Sequence, residues 1–175
     1  TTVTRSENLS RLSKSPGEGI RRSFFERYRT LVHKLLLLYL ARVRNAVGSN
    51  KISKISKNVG TLVCLENLGL SNNRISEVPE SIGNLENLHS LTIAANQLST
   101  IPESIKYLKN LELLWLHRNK ISKFPKGICD LQNLTEVVLN DNLISILPEC
   151  LGHLDKLETI SIAGNQISEI PKSVS

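Results

Sequence analysis

The chain has four histidines and a set of acidic residues whose types could support catalysis. His89 and His117 fall in successive predicted strands, and none of the four histidines stands at metal-ligand spacing from another His, Cys or Asp. Glu112, Glu136 and Glu158 could act as an acid pair, but a solvated, charged strand face explains them better. We therefore expect no catalytic site, no metal site and no cofactor, and we predict that the protein is not an enzyme.

The cysteines and glycines also indicate no zinc site, disulfide framework or phosphate-binding loop. Cys64, Cys129 and Cys150 form no CxxC pair and no terminal cluster, so the sequence predicts three free thiols rather than a disulfide framework or a zinc site. Gly83 and Gly127 belong to predicted turns that need small residues, so they form no phosphate-binding loop.

Charge is distributed unevenly along the 175 residues. Residues 1–47 carry ten Lys or Arg against three acids, whereas residues 48–175 carry twelve against thirteen. The net charge of +6 therefore describes the first quarter of the chain, and the main body gives no support for nucleic-acid binding. Since only 4% of the residues are aromatic, we expect a core of Leu, Ile and Val.

A period of 23 residues organises most of the sequence. Each unit follows the pattern LxxLxLxxNxIxx(V/I/F/L)PxxIxxLxx, and its Asn and Pro recur in phase five times. The repeated residues are Asn73, Asn96, Asn119, Asn142 and Asn165, with Pro79, Pro102, Pro125, Pro148 and Pro171.

Over residues 65–175 this pattern resembles the leucine-rich-repeat family, in its 23-residue subclass with a Leu-Pro motif on the convex side. Ras-group-related scaffolds and several bacterial pathogen proteins share that subclass. The resemblance implies an α/β solenoid with a curved parallel sheet and short helical or 3-10 convex turns. It also implies that the five in-phase Asn residues form a buried ladder.

The physical chemistry of each position agrees with the resemblance. The alternation in LxL predicts a short strand with one buried face, so Leu68 and Leu70 point inward. A stacked Asn amide can satisfy backbone groups that would otherwise be buried unpaired. Pro fixes φ where the chain bends, and IxxLxxL suits a helical or 3-10 turn.

Residues before the regular repeats have other roles. We expect a disordered tail over 1–19 and an amphipathic capping helix over 20–47 that covers the first repeat. The repeat domain over 48–175 then holds one degenerate and five regular units, and we expect it to be truncated at its C-terminus. An alternative for the basic helix is attachment to a membrane surface.

The outward strand positions are left for function because the inward ones form the core. The only Trp of the chain, Trp115, falls in the middle repeat between Leu113 and the equivalent Val138 of the next strand. An exposed aromatic with a polar rim is typical of an interface hot spot. The predicted partner-binding residues are Trp115, Leu113, His117, Arg118, Val138, Glu136, Asn140 and His89.

The sequence therefore predicts a protein-interaction module or signalling scaffold that binds a partner protein on the concave strand face. Two alternatives are a membrane-associated module, through the basic helix, and a regulatory fragment of a larger signalling enzyme. No secretory signal or transmembrane segment is seen, and no terminal Cys pair, so we expect a cytoplasmic protein or a bacterial protein delivered to a host cell.

Overall fold

The computed structural model describes residues 51–174. The predicted tail over 1–19 and capping helix over 20–47 lie outside the described residues. Five parallel strands form one sheet in chain order, and a 3-10 helix precedes or follows each strand. The strands are β1 (Asn67–Gly69), β2 (Ser90–Thr92), β3 (Leu113–Trp115), β4 (Glu136–Val138) and β5 (Thr159–Ser161). The 3-10 helices are η1 (Lys57–Thr61), η2 (Glu80–Asn84), η3 (Glu103–Tyr107), η4 (Lys126–Asp130), η5 (Glu149–His153) and η6 (Lys172–Val174).

The register of the sheet follows the sequence repeat without a shift. Leu91 pairs with Leu68 on one side and with Leu114 on the other, and Leu114 pairs in turn with Val137. These central residues of β1 to β4 are buried, with at most 1% of their surface exposed, and the equivalent Ile160 of β5 is half-buried. The alternation of period two therefore places the neighbours of each central residue on the outer face of the sheet.

The Asn residues form the ladder that the sequence predicts. Asn119 donates from Nδ2 to the carbonyl oxygens of Leu116 at 2.9 Å and Ile93 at 3.0 Å. Its Oδ1 accepts the backbone N–H of Leu98 at 3.0 Å. Asn96, Asn142 and Asn165 repeat all three bonds, whereas Asn73 donates to Leu70 and accepts the N–H of Ile52. Each of the five therefore joins two turns of the solenoid.

Burial of the ladder is limited to its interior. The expectation that all five Asn residues are buried is met by Asn96, Asn119 and Asn142. Asn73 and Asn165, by contrast, are half-buried. They belong to the first and last of the five regular repeats, next to the two outer strands of the described sheet.

The side opposite the sheet is built from the 3-10 helices. A Pro occupies the N-cap of η2, η3, η4 and η5, with φ between −66° and −81°. Each turn then buries an apolar residue, such as Ile82 and Ile105, against the inward strand residues. Gly83 is required by close stacking, because a Cβ added there would lie 2.6 Å from the carbonyl oxygen of Ser104.

Two of the three cysteines are joined, which corrects the prediction of free thiols. Cys129 in η4 and Cys150 in η5 form a disulfide with a Cα–Cα distance of 5.7 Å, whereas Cys64 is free and exposed. Stacking of successive turns brings residues 21 apart into contact, and this distance suits a disulfide. The prediction failed because it looked only for cysteines that are close in sequence.

Before the first regular repeat, the degenerate unit contributes to the same core. Ile55, Val59 and Leu62 are buried, and Ser56 replaces Pro by accepting the N–H of Asn58 at 3.2 Å to cap η1. Within residues 51–174, no helix combines the length and the apolar character needed to cross a bilayer.

Candidate functional site on the strand face

The outer face of the sheet places four of the eight predicted partner-binding residues on two adjacent strands. Register pairs Leu113 with Glu136 and Trp115 with Val138 across β3 and β4. Leu113, Glu136 and Val138 are half-buried, and 37% of the Trp115 surface is exposed. These four residues form one continuous patch, called here the Trp115 patch.

Trp115 is held in place from the neighbouring strand. Its Nε1 donates a hydrogen bond to Oε1 of Glu136 at 3.1 Å. The ring of His117 lies beside it, with centroids 6.4 Å apart and planes tilted by 56°. Because the only donor of the indole is engaged, its carbon ring is what remains for a partner to contact.

His117 and Asn140 lie in the same outward row, one strand apart. Asn140 accepts the backbone N–H of Ala163 on its Oδ1 at 3.1 Å, and Ser71 accepts that of Ala94 in the same way. Asn140 thus has a structural role in addition to its position two residues beyond Val138 of the Trp115 patch. The Nδ1 atom of His117 is buried and has no hydrogen-bond partner within residues 51–174.

Arg118 lies beyond the strand, at the turn that leads to the ladder. Its φ is 55°, in the left-handed region, as are the equivalent Ala95 and Asp141. The Arg118 guanidinium pairs with the carboxylate of Asp141 at 3.6 Å, with both side chains largely exposed. An exposed pair of this kind contributes little stability.

His89 stands apart from the rest of the predicted set. It precedes β2, at the opposite end of the strands from Arg118, and its side chain is exposed. Its Nδ1 lies 2.8 Å from the carbonyl oxygen of Asn87 and therefore carries the proton that donates to it. Its backbone carbonyl accepts the N–H of Leu113 at 3.0 Å, but no hydrogen bond joins the His89 side chain to the Trp115 patch in the part of the chain that the structure describes.

Carboxylates line the flank of the face where the strands begin. Glu112 and Glu158 are exposed and precede β3 and β5, and Glu136 opens β4. Across residues 51–174, no group of three or more His, Cys, Asp or Glu side chains is arranged to hold a metal ion.

Comparison with known proteins places this geometry among repeat proteins. A family model described as a leucine-rich repeat region matches residues 24–142. Among curated proteins, none matches the chain at a significant level.

Solved structures resemble the chain along most of its length. A leucine-rich-repeat protein of Leptospira interrogans is 36% identical, with a TM-score of 0.70 and a match that covers 73% of this chain and 33% of that one. An internalin of Listeria monocytogenes is 29% identical, with a TM-score of 0.62 and coverage of 72% and 36%. The leucine-rich-repeat ectodomain of the Arabidopsis thaliana receptor kinase GASSHO1/SCHENGEN3, in complex with CASPARIAN STRIP INTEGRITY FACTOR 2, is 29% identical, with a TM-score of 0.65 and coverage of 72% and 16%.

These relatives are much longer than the matched region. The chain spans between 16% and 36% of the three structures.

Proposed function

Because the chain belongs to the leucine-rich-repeat family, we propose that it is a protein-recognition module that binds a partner protein on the strand face, through the Trp115 patch. This fold generally mediates protein–protein interactions, and its repeat regions are typically not enzymes. The Arabidopsis ectodomain named above was itself solved in complex with another factor.

One observation carries the proposal. The only Trp of the chain is 37% exposed on the central strand of the sheet, with Leu113 and Val138 on its own and the next strand. The corresponding positions in β1, β2 and β5 are Gly69, Thr92 and Ser161, which are small or polar. The apolar character is therefore concentrated at the centre of the face, as in interface hot spots.

Rigidity also favours binding at this patch. The bond from Trp115 to Glu136 favours one orientation of the indole before a partner arrives. A side chain that is already ordered loses less conformational freedom on association, and immobilising a flexible one costs about 0.5–1.5 kcal/mol.

A quantitative pull-down tests the proposal. Wild type, Trp115→Ala and the matched control Lys126→Ala, an exposed residue of η4 on the opposite side, serve as baits under the same conditions. We expect proteins retained by wild type and by Lys126→Ala to be lost with Trp115→Ala, because a central Trp contributes about 2 kcal/mol or more to an interface.

Thermal unfolding of each bait supplies the folding control, since Trp115 is partly exposed and its loss leaves the core intact. A partner that binds the folded Trp115→Ala variant as well as wild type, and is lost with Lys126→Ala, would show that the opposite side carries the function.

A further inference from the structure

Electrostatics of the strand face specify the chemistry of the partner. The five strands contain Glu136 and no Lys or Arg, and exposed Glu66, Glu112 and Glu158 precede β1, β3 and β5. Arg118, at the other ends of the strands, is paired with Asp141. Lys109 and Lys156 lie in the turns before β3 and β5, and their ammonium groups donate to the carbonyl oxygen of Asp130 at 3.1 Å and to Oδ1 of Asn133 at 2.7 Å.

Three of these Glu residues occupy neighbouring positions beside the Trp115 patch. Thr135 donates its backbone N–H to Glu112, and Glu158 donates its own to Thr135, at 2.9 Å each. Glu112 and Glu158 are therefore two strands apart, about 10 Å by the usual strand spacing, with Glu136 next to Thr135 between them. Among residues 51–174, Arg118 and Asp141 form a salt bridge, and none joins Glu112, Glu136 or Glu158 to a Lys or Arg. Like charges at this separation repel, so a cation placed among them is favoured.

The indole adds a second preference for a cation. An aromatic face attracts a cation within about 6 Å of its centroid, and Trp is the best of the three aromatic residues for this contact. Glu136 uses Oε1 to hold Trp115, which leaves Oε2 to accept a bond from a group lying against the same ring.

A planar guanidinium can contact the Trp115 ring and the Glu136 carboxylate at the same time. It stacks on an indole and donates in-plane N–H bonds to a carboxylate, whereas the Lys ammonium is a compact, strongly hydrated charge. Building on the proposed function, we infer that the partner presents a basic segment of which one Arg stacks on Trp115 and donates to Glu136. Glu112 and Glu158 attract the flanking Lys and Arg residues of that segment, and negatively charged partners are repelled.

Selection from a displayed library of random linear peptides tests this chemistry. The immobilised protein is the bait, and selected peptides are synthesised and measured by fluorescence anisotropy. We expect Arg to be enriched at one fixed position, and Trp115→Ala and Glu136→Gln each to weaken binding about tenfold or more. Citrulline or Lys in place of that Arg should cause a similar loss, and added salt should weaken binding.

Glu103→Gln is the matched control, because it removes one exposed carboxylate from η3, away from the strand face. Its binding should equal that of wild type. If Glu103→Gln weakened peptide binding as much as Glu136→Gln does, the effect would depend only on total charge, and the inference would be overturned.

The remaining outcomes separate the two proposals. Peptides that need Trp115 but carry no common Arg would overturn the Arg contact and leave the binding face supported. Peptides that bind the Trp115→Ala variant normally would contradict the binding face itself, and a selection that enriches no peptide counts against both.

Discussion

The indole nitrogen of Trp115 donates to a carboxylate oxygen of Glu136 at 3.1 Å, across two adjacent strands and 21 residues of sequence. This bond joins the centre of the apolar patch to its acidic flank. It gives Glu136 two roles, since the same carboxylate orients the aromatic anchor and supplies charge for a partner. Trp115 and Glu136 belong to different repeats, so they come into contact only because successive repeats stack.

Replacement of Glu136 by Ala should loosen Trp115 in the free protein. The exposed hydrogen bond contributes on the order of 0.5 kcal/mol, so global stability should change little while the indole samples more orientations. Acrylamide quenching measures this directly, because Trp115 is the only Trp. We expect the quenching constant to rise in Glu136→Ala and to stay at the wild-type value in Glu112→Ala, and equal quenching in all three proteins would contradict the bond.

Removal of a ladder amide should destabilise the whole solenoid. Asn119→Ala leaves the backbone N–H of Leu98 without its acceptor and removes one of the two amide donors that reach the carbonyl of Ile93, at a cost of about 1–3 kcal/mol. Urea unfolding measures the loss. Asn67→Ala removes an exposed Asn from β1 and should stay close to wild type. Equal midpoints for both variants would show that the ladder is not stabilising.

Much of this architecture could be predicted from the repeat alone. A 23-residue period fixes which residues stack, so the inward Leu68 and the ladder bonds of Asn119 follow from sequence. Burial of Asn73 and Asn165 was predicted wrongly, because periodicity does not distinguish an interior turn from a terminal one.

The disulfide was missed although the sequence contains its signal. Cys129 and Cys150 are 21 residues apart, the same separation as Trp115 and Glu136 and as the ladder bond between Leu98 and Asn119. All three contacts join residues of two neighbouring turns. The bond from Trp115 to Glu136 was likewise missed, since the sequence placed both on one face without indicating their rotamers.

Reduction of the Cys129–Cys150 disulfide should lower the free energy of unfolding by an amount that depends on the length of the loop it closes. Closing a loop of about 22 residues stabilises by roughly 3 kcal/mol in the chain-entropy account. Urea unfolding with and without dithiothreitol should show that loss, and alkylation should label two further thiols after reduction. The same urea midpoint with and without dithiothreitol would mean that the disulfide does not constrain the unfolded chain.

A matched variant comes from the chain itself. In earlier turns, Gly60 and Ser81 occupy the positions equivalent to Cys129 and Cys150. A Cβ added to Gly60 would lie 2.8 Å from the Cβ of Ser81. The double change Cys129→Gly with Cys150→Ser reproduces that pair. We expect its stability to be insensitive to dithiothreitol, and a persistent response would place the redox effect elsewhere.

Acid should loosen the last described turn. Hydrogen bonds from Ser173, led by its side chain, lower the pKa of the Glu149 carboxyl from the ordinary value of 4.5. A lowered folded pKa means that the carboxylate stabilises the turn above about pH 4.5 and that this contribution is lost as pH falls through the folded value. NMR titration should place the Glu149 midpoint below 4.5 and move it upward in Ser173→Ala. A midpoint at or above the ordinary value in wild type would refute the interaction.

The most direct measurement of the central claim uses Trp115 as its own reporter. Incorporation of 5-fluorotryptophan labels this one position, so the fluorine NMR spectrum contains a single protein signal. Titration with a peptide or protein partner should shift that signal with the same dissociation constant that anisotropy gives, because binding buries the indole. A saturated complex in which the resonance keeps its free position and its solvent accessibility would contradict binding through the Trp115 patch.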